Sequence, residues 1–343
     1  MSMDQPVTTD AIPVGESGGH QGEVVPAPRR AARGRSLGVN RFGAVYVLII
    51  AFAVFSVLRP DTFPTLLNVR MLLISQSVLM IVSIGMLFPA SAGEFDLSLG
   101  FLAGFTGIVV AWLSVFQGWH PYLAVLAGLV IATAVGAING FFIVRIGVSS
   151  FISTLGSGTM LSGLTLWVSR GSVIYDLPKQ LLELGQGRIL GMQLPVYVMV
   201  VTVIVAAYIF HYRPYGRYLY AVGGGREAAR LAGVNCGMLT FSTFVISAFL
   251  GGLGGILLAA NGGAANPDGG VDLLMPAFAA SFLGATTIVP GRFNVFGSVV
   301  AVFLLAVLVS GIQQMGAPHW VSPVFNGAAL IVAVALAVSR SRK

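Results

Sequence analysis

Two carboxylates, Glu94 and Asp96, stand two residues apart in the first half of the chain, with no other charged residue for more than a dozen positions on either side. An ionisable group in such a setting is costly and points to function by default. Three chemistries are open to the pair. Asp96, followed by Leu97 and Ser98, can cap a helix by accepting its first amides. Glu94, Asp96 and Ser98 can instead serve gating or a subunit contact, and a carboxylate here can also carry a proton for an ion-coupled transporter. Other reactive residues are scarce. His20, His120, His211 and His319 are scattered without metal-ligand spacing, and the single Cys236 excludes an internal disulfide. A phosphate-cradling loop needs a lysine after its glycines, yet the only lysines are Lys179 and Lys343. No catalytic constellation is visible, so the chain is expected to be no enzyme and to bind neither metal nor ATP itself.

The elements that must position these residues are apolar. Of 343 residues 56% are hydrophobic and only 9% charged, against roughly 25% charged in a soluble domain. Residues 1–41 are polar and rich in Gly, Pro and Arg, and read as a flexible cytoplasmic tail. Residues 42–343 read as one transmembrane domain. Apolar runs follow at 42–58, 70–90, 98–116, 121–144, 149–169, 195–211, 238–260, 272–289, 294–312 and 319–339, which predicts an all-α membrane protein of about ten helices. With ten spans and a cytoplasmic tail, fourteen Lys and Arg residues lie inside and five (Arg59, Arg70, Arg170, Lys179, Arg188) outside, as the positive-inside rule requires. Both termini are then cytoplasmic. The +7 net charge is explained by this topology, not by nucleic acid.

Between the sixth and seventh runs, the inside loop 212–237 contains "REAARLAGV" from Arg226: good helix formers, Glu227 in the first turn, Arg230 near the end and Gly233 as a stop. A short polar helix held between two spans suits the docking of a soluble partner, or is an ordinary connector. Gly223, Gly224 and Gly225 before it read as a bendable lead-in. Pairs of small residues at helical spacing (Gly100 and Gly104, Gly136 and Gly140, Gly251 and Gly255) allow close helix approach. A weak echo between 94–107 and 270–284 hints at an internal repeat.

"YAVGGGREAARLAGVN" resembles the cytoplasmic loop of permeases in the ribose, xylose and arabinose class of bacterial ABC importers. "GEFDLSLGFLAGFTG" (93–107) is similar to the same family's Gly-Ile-Asp-Leu-Ser-Val-Gly signature, with Glu94, Phe95 and Leu99 as departures. The stretch 279–316 resembles its closing glycine pattern, departing at Ala285, Pro290 and Phe293 to Asn294. The resemblance runs from about 66 to 339. It implies an inner-membrane permease working with a second permease copy, identical or not, with two ATP-binding subunits and with an extracytoplasmic sugar-binding protein. On that resemblance Gly223, Gly225, Arg226, Glu227, Ala228, Ala229, Arg230, Leu231 and Gly233 form the ATPase-coupling element, and ATP is held by the partner subunits.

A path for a neutral monosaccharide or polyol should be polar and uncharged. Candidates are Asn68, Gln76, Asn139, Ser150, Phe151, Thr154, Ser157 and Asn294, with further hydroxyls at Ser77, Ser149 and Ser153 and a stacking ring at Trp167. The alternative to an ATP-driven importer is an ion-coupled secondary transporter using Glu94 or Asp96; a membrane enzyme or channel has no supporting residues. The outside loop 170–194 is the natural contact for a delivery protein.

Overall fold

The computed structural model describes residues 42–318 and 320–341; the expected tail 1–41, His319, Arg342 and Lys343 lie outside the described residues. Among these, each of the ten apolar runs carries a helix. They are α1 (Gly43–Leu58), α2 (Leu66–Ser91), α3 (Leu99–Val115), α4 (Pro121–Phe141, continued by a π turn Phe142–Ile146), α5 (Ser150–Ser169), α7 (Leu194–Tyr212), α10 (Cys236–Gly262), α11 (Leu274–Ala285), α12 (Val295–Gln314) and α13 (Val321–Ser341). Six are long and apolar enough to cross a bilayer, and α1, α3, α11 and α13 supply shorter apolar helices. Their backbone bonds close internally, as a lipid environment demands. Three short helices lie between the runs: α6 (Lys179–Gln186), α8 (Pro214–Gly224) and α9 (Arg226–Leu231). A two-residue hairpin, β1 (Arg188–Ile189) with β2 (Met192–Gln193), is the one paired sheet among the described residues.

Boundaries depart from the sequence reading by at most four residues, and the early start of α2 has a cause. Thr65 accepts the Asn68 N–H on its Oγ1 at 3.2 Å and starts α2 early. Arg70, expected in a loop, therefore stands on the second turn of the helix.

The long α2 and α10 pack on each other at the centre, and the remaining helices repeat around them. α3 packs on α4 and α5 as α11 packs on α12 and α13; α10 lies on α3 and α4 as α2 lies on α11 and α12. The sequence echo marks the matching starts of α3 and α11. Leaving these two starts without side chains lets them meet. A Cβ on Gly100 would come within 2.9 Å of the Gly270 carbonyl oxygen and of the Leu274 side chain. Gly136 and Gly251 play the packing role read from their spacing, against Phe244 of α10 and Leu99 of α3.

α3 lies beside the middle of α10, with Leu99 at Gly251 and Ala103 at Gly255. Gly251 is fifteen residues past Cys236, so α3 begins about 22 Å along α10, deep in the apolar slab. At about 18 Å, α11 is likewise too short to cross alone.

Candidate functional site

The segment 92–98 between α2 and α3 is non-helical, with only its ends bonded to the helix termini, and its middle borrows side chains from its neighbours. Ser150 Oγ accepts the Phe95 N–H (3.4 Å) and Thr154 Oγ1 accepts the Leu97 N–H (3.1 Å), both from α5. Asp96 is 1% exposed. One of its oxygens accepts from the Ser98 N–H (3.0 Å) and Ser98 hydroxyl (2.5 Å), the other from the Ser247 hydroxyl of α10 (2.8 Å). Asn139 of α4 donates to Ser98 Oγ at 3.1 Å. The Asp96 carboxyl thus joins the start of α3 to α10 directly and, through Ser98, to α4, and each of its buried oxygens has a hydrogen-bond partner.

Asp96 is out of reach of water although it stands in the connection between α2 and α3. Ser247 is eleven residues into α10, so Asp96 lies about 16 Å from that helix's start and is sealed by apolar neighbours. The first helical residue is Leu99, and Asp96 holds the turn just before it. Glu94 separates from Asp96 and turns to the surface, 3.2 Å from the Arg226 guanidinium.

That ion pair belongs to a second construction, the α8–α9 element. Gly225 parts the two helices, and Gly233 ends α9 with φ +82°. Of the bendable lead-in expected at 223–225, Gly223 and Gly224 instead end α8, and Gly223 is pressed onto the end of α2: a Cβ there would collide with the Ser91 carbonyl oxygen. The element is fixed on other sides too. Tyr215 and Ser242 of α10 share a hydrogen bond of 2.7 Å, and Tyr220 donates to the Phe293 carbonyl at 2.6 Å with Arg292 5.6 Å from its ring centre. Burial pushes the Tyr220 hydroxyl up to about 12, with Arg292 opposing, so it remains a donor at physiological pH. Ala229 packs inward, while Glu227, Ala228, Arg230 and Leu231 face out; Leu231 is 86% exposed. Glu227 and Arg230 pair with each other at 3.1 Å.

The remaining sequence candidates divide. Ser150, Thr154 and Asn139 join the Asp96 junction, and Ser157 bonds the Thr154 carbonyl at 3.2 Å. Phe151 is 54% exposed and Trp167 77%, on the unpartnered face of α5. Asn294 is engaged structurally: its Oδ1 caps α12 at Gly297 (2.6 Å) and its Nδ2 serves the carbonyls of Gly284, Thr287 and Arg292. Asn68 and Gln76 lie apart from all of these, on the opposite half of α2. Ser247, Tyr220 and the Ser91 contact were not foreseen. Ser247 is a lone hydroxyl in a long apolar run, and the other two are contacts over long sequence distances.

A bundle of apolar helices in which the short α11 cannot cross alone and α3 begins beside the middle of α10, with a polar junction inside and a helical element clamped to the helix ends, is the construction of a multi-pass membrane permease. Residues 68–334 match the family described as branched-chain amino acid transport system / permease component. The chain is 30% identical over 309 residues to the L-arabinose ABC transporter permease protein AraH of Azospirillum brasilense (90% of each chain). It is 30% identical over 291 residues to the ribose import permease protein RbsC of Haemophilus influenzae (84% of this chain, 90% of the relative). To the D-allose transport system permease protein AlsC of Escherichia coli it is 28% identical over 298 residues (87% and 91%). No solved structure matches. The chain belongs to this permease family and is a multi-pass inner-membrane protein. The resemblance to the ribose, xylose and arabinose class is borne out.

Proposed function

We propose that this chain is the membrane subunit of an ABC importer for a monosaccharide or related small neutral polyol. It has ten spans with both termini in the cytoplasm, binds no ATP or metal, and catalyses no reaction. ATP-binding subunits, an extracytoplasmic sugar-binding protein and a second permease copy complete the assembly. Its relatives' names, all sugar permeases, favour a sugar over the amino acid in the family description.

The observation that carries this reading is the α8–α9 element. Its outer face offers Glu227, Arg230 and the bare Leu231 to a partner. Its inner face is tied to α2 by Gly223, to the 92–98 break by Arg226–Glu94, to α10 by Tyr215 and to the α11–α12 connection by Tyr220. A push from a closing ATPase therefore moves α8–α9 as one body and reaches the 92–98 break and the α11–α12 connection. Access alternates because inward-open and outward-open states make different contacts at these ties. On the outer side, α6 and the β1–β2 hairpin form a ledge for the delivery protein, with Leu181 and Gly185 buried against the end of α10.

The test is the double reversal Glu227→Arg with Arg230→Glu in the tagged chain. It should abolish copurification of the ATP-binding subunit and ATP-driven sugar uptake while leaving membrane insertion intact. Unchanged association would overturn the coupling role; uptake by the chain alone, without ATP and collapsed by an uncoupler, would overturn the importer.

A further inference from the structure

A cavity of about 470 Å³ opens among α2, α11, α12 and α13, away from the Asp96 junction. It follows α2 from Asn68 to Leu79, eleven residues or about 16 Å. On the proposed topology it therefore descends from the outer surface toward the middle of the membrane. Its polar groups are Asn68, Ser75, Gln76, Ser310, Gln313 and Asn326, all amides or hydroxyls, and no charged residue lines it. Arg70, on the same helix, turns the other way, toward the hairpin at Gly191.

So many amides on apolar helices are costly if they face lipid, and natural if they face water or a polar solute. Their hydrogen bonds leave capacity over. Gln76 uses one N–H on Ser75 (3.1 Å) and Gln313 one on Ser322 (2.8 Å), which leaves a carbonyl oxygen and an N–H on each. The Asn326 carboxamide has no partner among the described residues. Asn68, by contrast, is fixed on the Phe63 carbonyl and Gln314 and shapes the wall. Free carboxamides donate and accept at once, as sugar hydroxyls do. A zwitterionic amino acid would need a cation and an anion, and the lining has neither.

We propose that this cavity is a solute site of the permease itself, holding a neutral polyhydroxylated molecule of sugar size through the carboxamides of Gln76, Gln313 and Asn326. The volume falls in the range of about 300–1,000 Å³ typical of small-molecule sites. The inference rests on the importer reading and adds to it a binding step inside the membrane subunit.

The test uses the full chain in proteoliposomes with Cys236→Ser and Ser310→Cys, which leaves one thiol on the cavity wall. A membrane-impermeant thiol reagent should label it from the outer side. Millimolar D-ribose, L-arabinose or D-allose should slow the labelling, and L-leucine should not. Adding Asn326→Leu should keep the labelling but raise the sugar concentration needed for protection by about tenfold, the loss of roughly one hydrogen bond. No labelling, labelling indifferent to every sugar, or equal protection by L-leucine each overturns the site. ATP-driven uptake by the unsubstituted importer is measured alongside. Uptake without protection removes this site and leaves the proposed function standing, whereas absence of ATP-driven sugar uptake removes the proposed function.

Discussion

At the scale of single residues, Asp96 owes its tolerance in an apolar interior to three donors, so its neighbours are as consequential as its charge. Ser247→Ala removes the one donor from α10 and should lower stability by about 2 kcal/mol, seen as an earlier thermal unfolding midpoint in detergent. Asp96→Asn keeps an acceptor for Ser98 and offers its amide N–H to Ser247. It should therefore fold and transport near the parental level, while Asp96→Leu should do neither. Loss of transport in a well-folded Asp96→Asn variant would restore the proton-carrying reading. The sequence singled out Asp96 and Ser98 because they stand in an apolar run, but its depth was not legible. Depth comes from the pairing of α3 with the middle of α10, a contact over some 150 residues of chain.

Among elements, the α8–α9 unit distinguishes two adjacent glycines that sequence treats alike. Gly224 has open space where a Cβ would go, whereas Gly223 abuts the Ser91 carbonyl. Gly224→Ala should leave ATP-driven uptake unchanged, and Gly223→Leu should unseat the element and abolish uptake with the protein still in the membrane. Equal behaviour of the two would refute the clamp. The Arg226–Glu94 pair is partly solvent-exposed, so it adds no more than about 1 kcal/mol to stability. Its effect should show in coupling: Arg226→Glu slows uptake severalfold, and Glu94→Arg in the same chain recovers it. Helix ends followed apolar length and capping residues closely. The split of 212–237 into two helices was hidden because Gly223, a poor helix former, is held in α8 by its contact with the end of α2, not by propensity.

Over the whole molecule, the ten-span reading predicts which surfaces water reaches from each side. With Cys236 replaced by Ser, a thiol at Gln117 or Lys179 should react with an impermeant reagent on intact cells, and one at Arg217 only after permeabilisation. Reaction at Arg217 from outside would invert the topology. Composition and periodicity made the helical class plain, while the repeat survived in sequence as a faint echo, because four packed pairs need only similar shape and not similar residues. Helices α2–α5 and α10–α13 match pair by pair, with α7 as the one apolar helix of crossing length between them. On the ten-span reading, two quartets of crossings separated by a single crossing enter the membrane in opposite directions. On that reading α7 is an orientation switch during synthesis: a ribosome translating a chain that lacked it would deliver α10–α13 upside down, with Arg292 translocated and the short α11 opening to the wrong compartment.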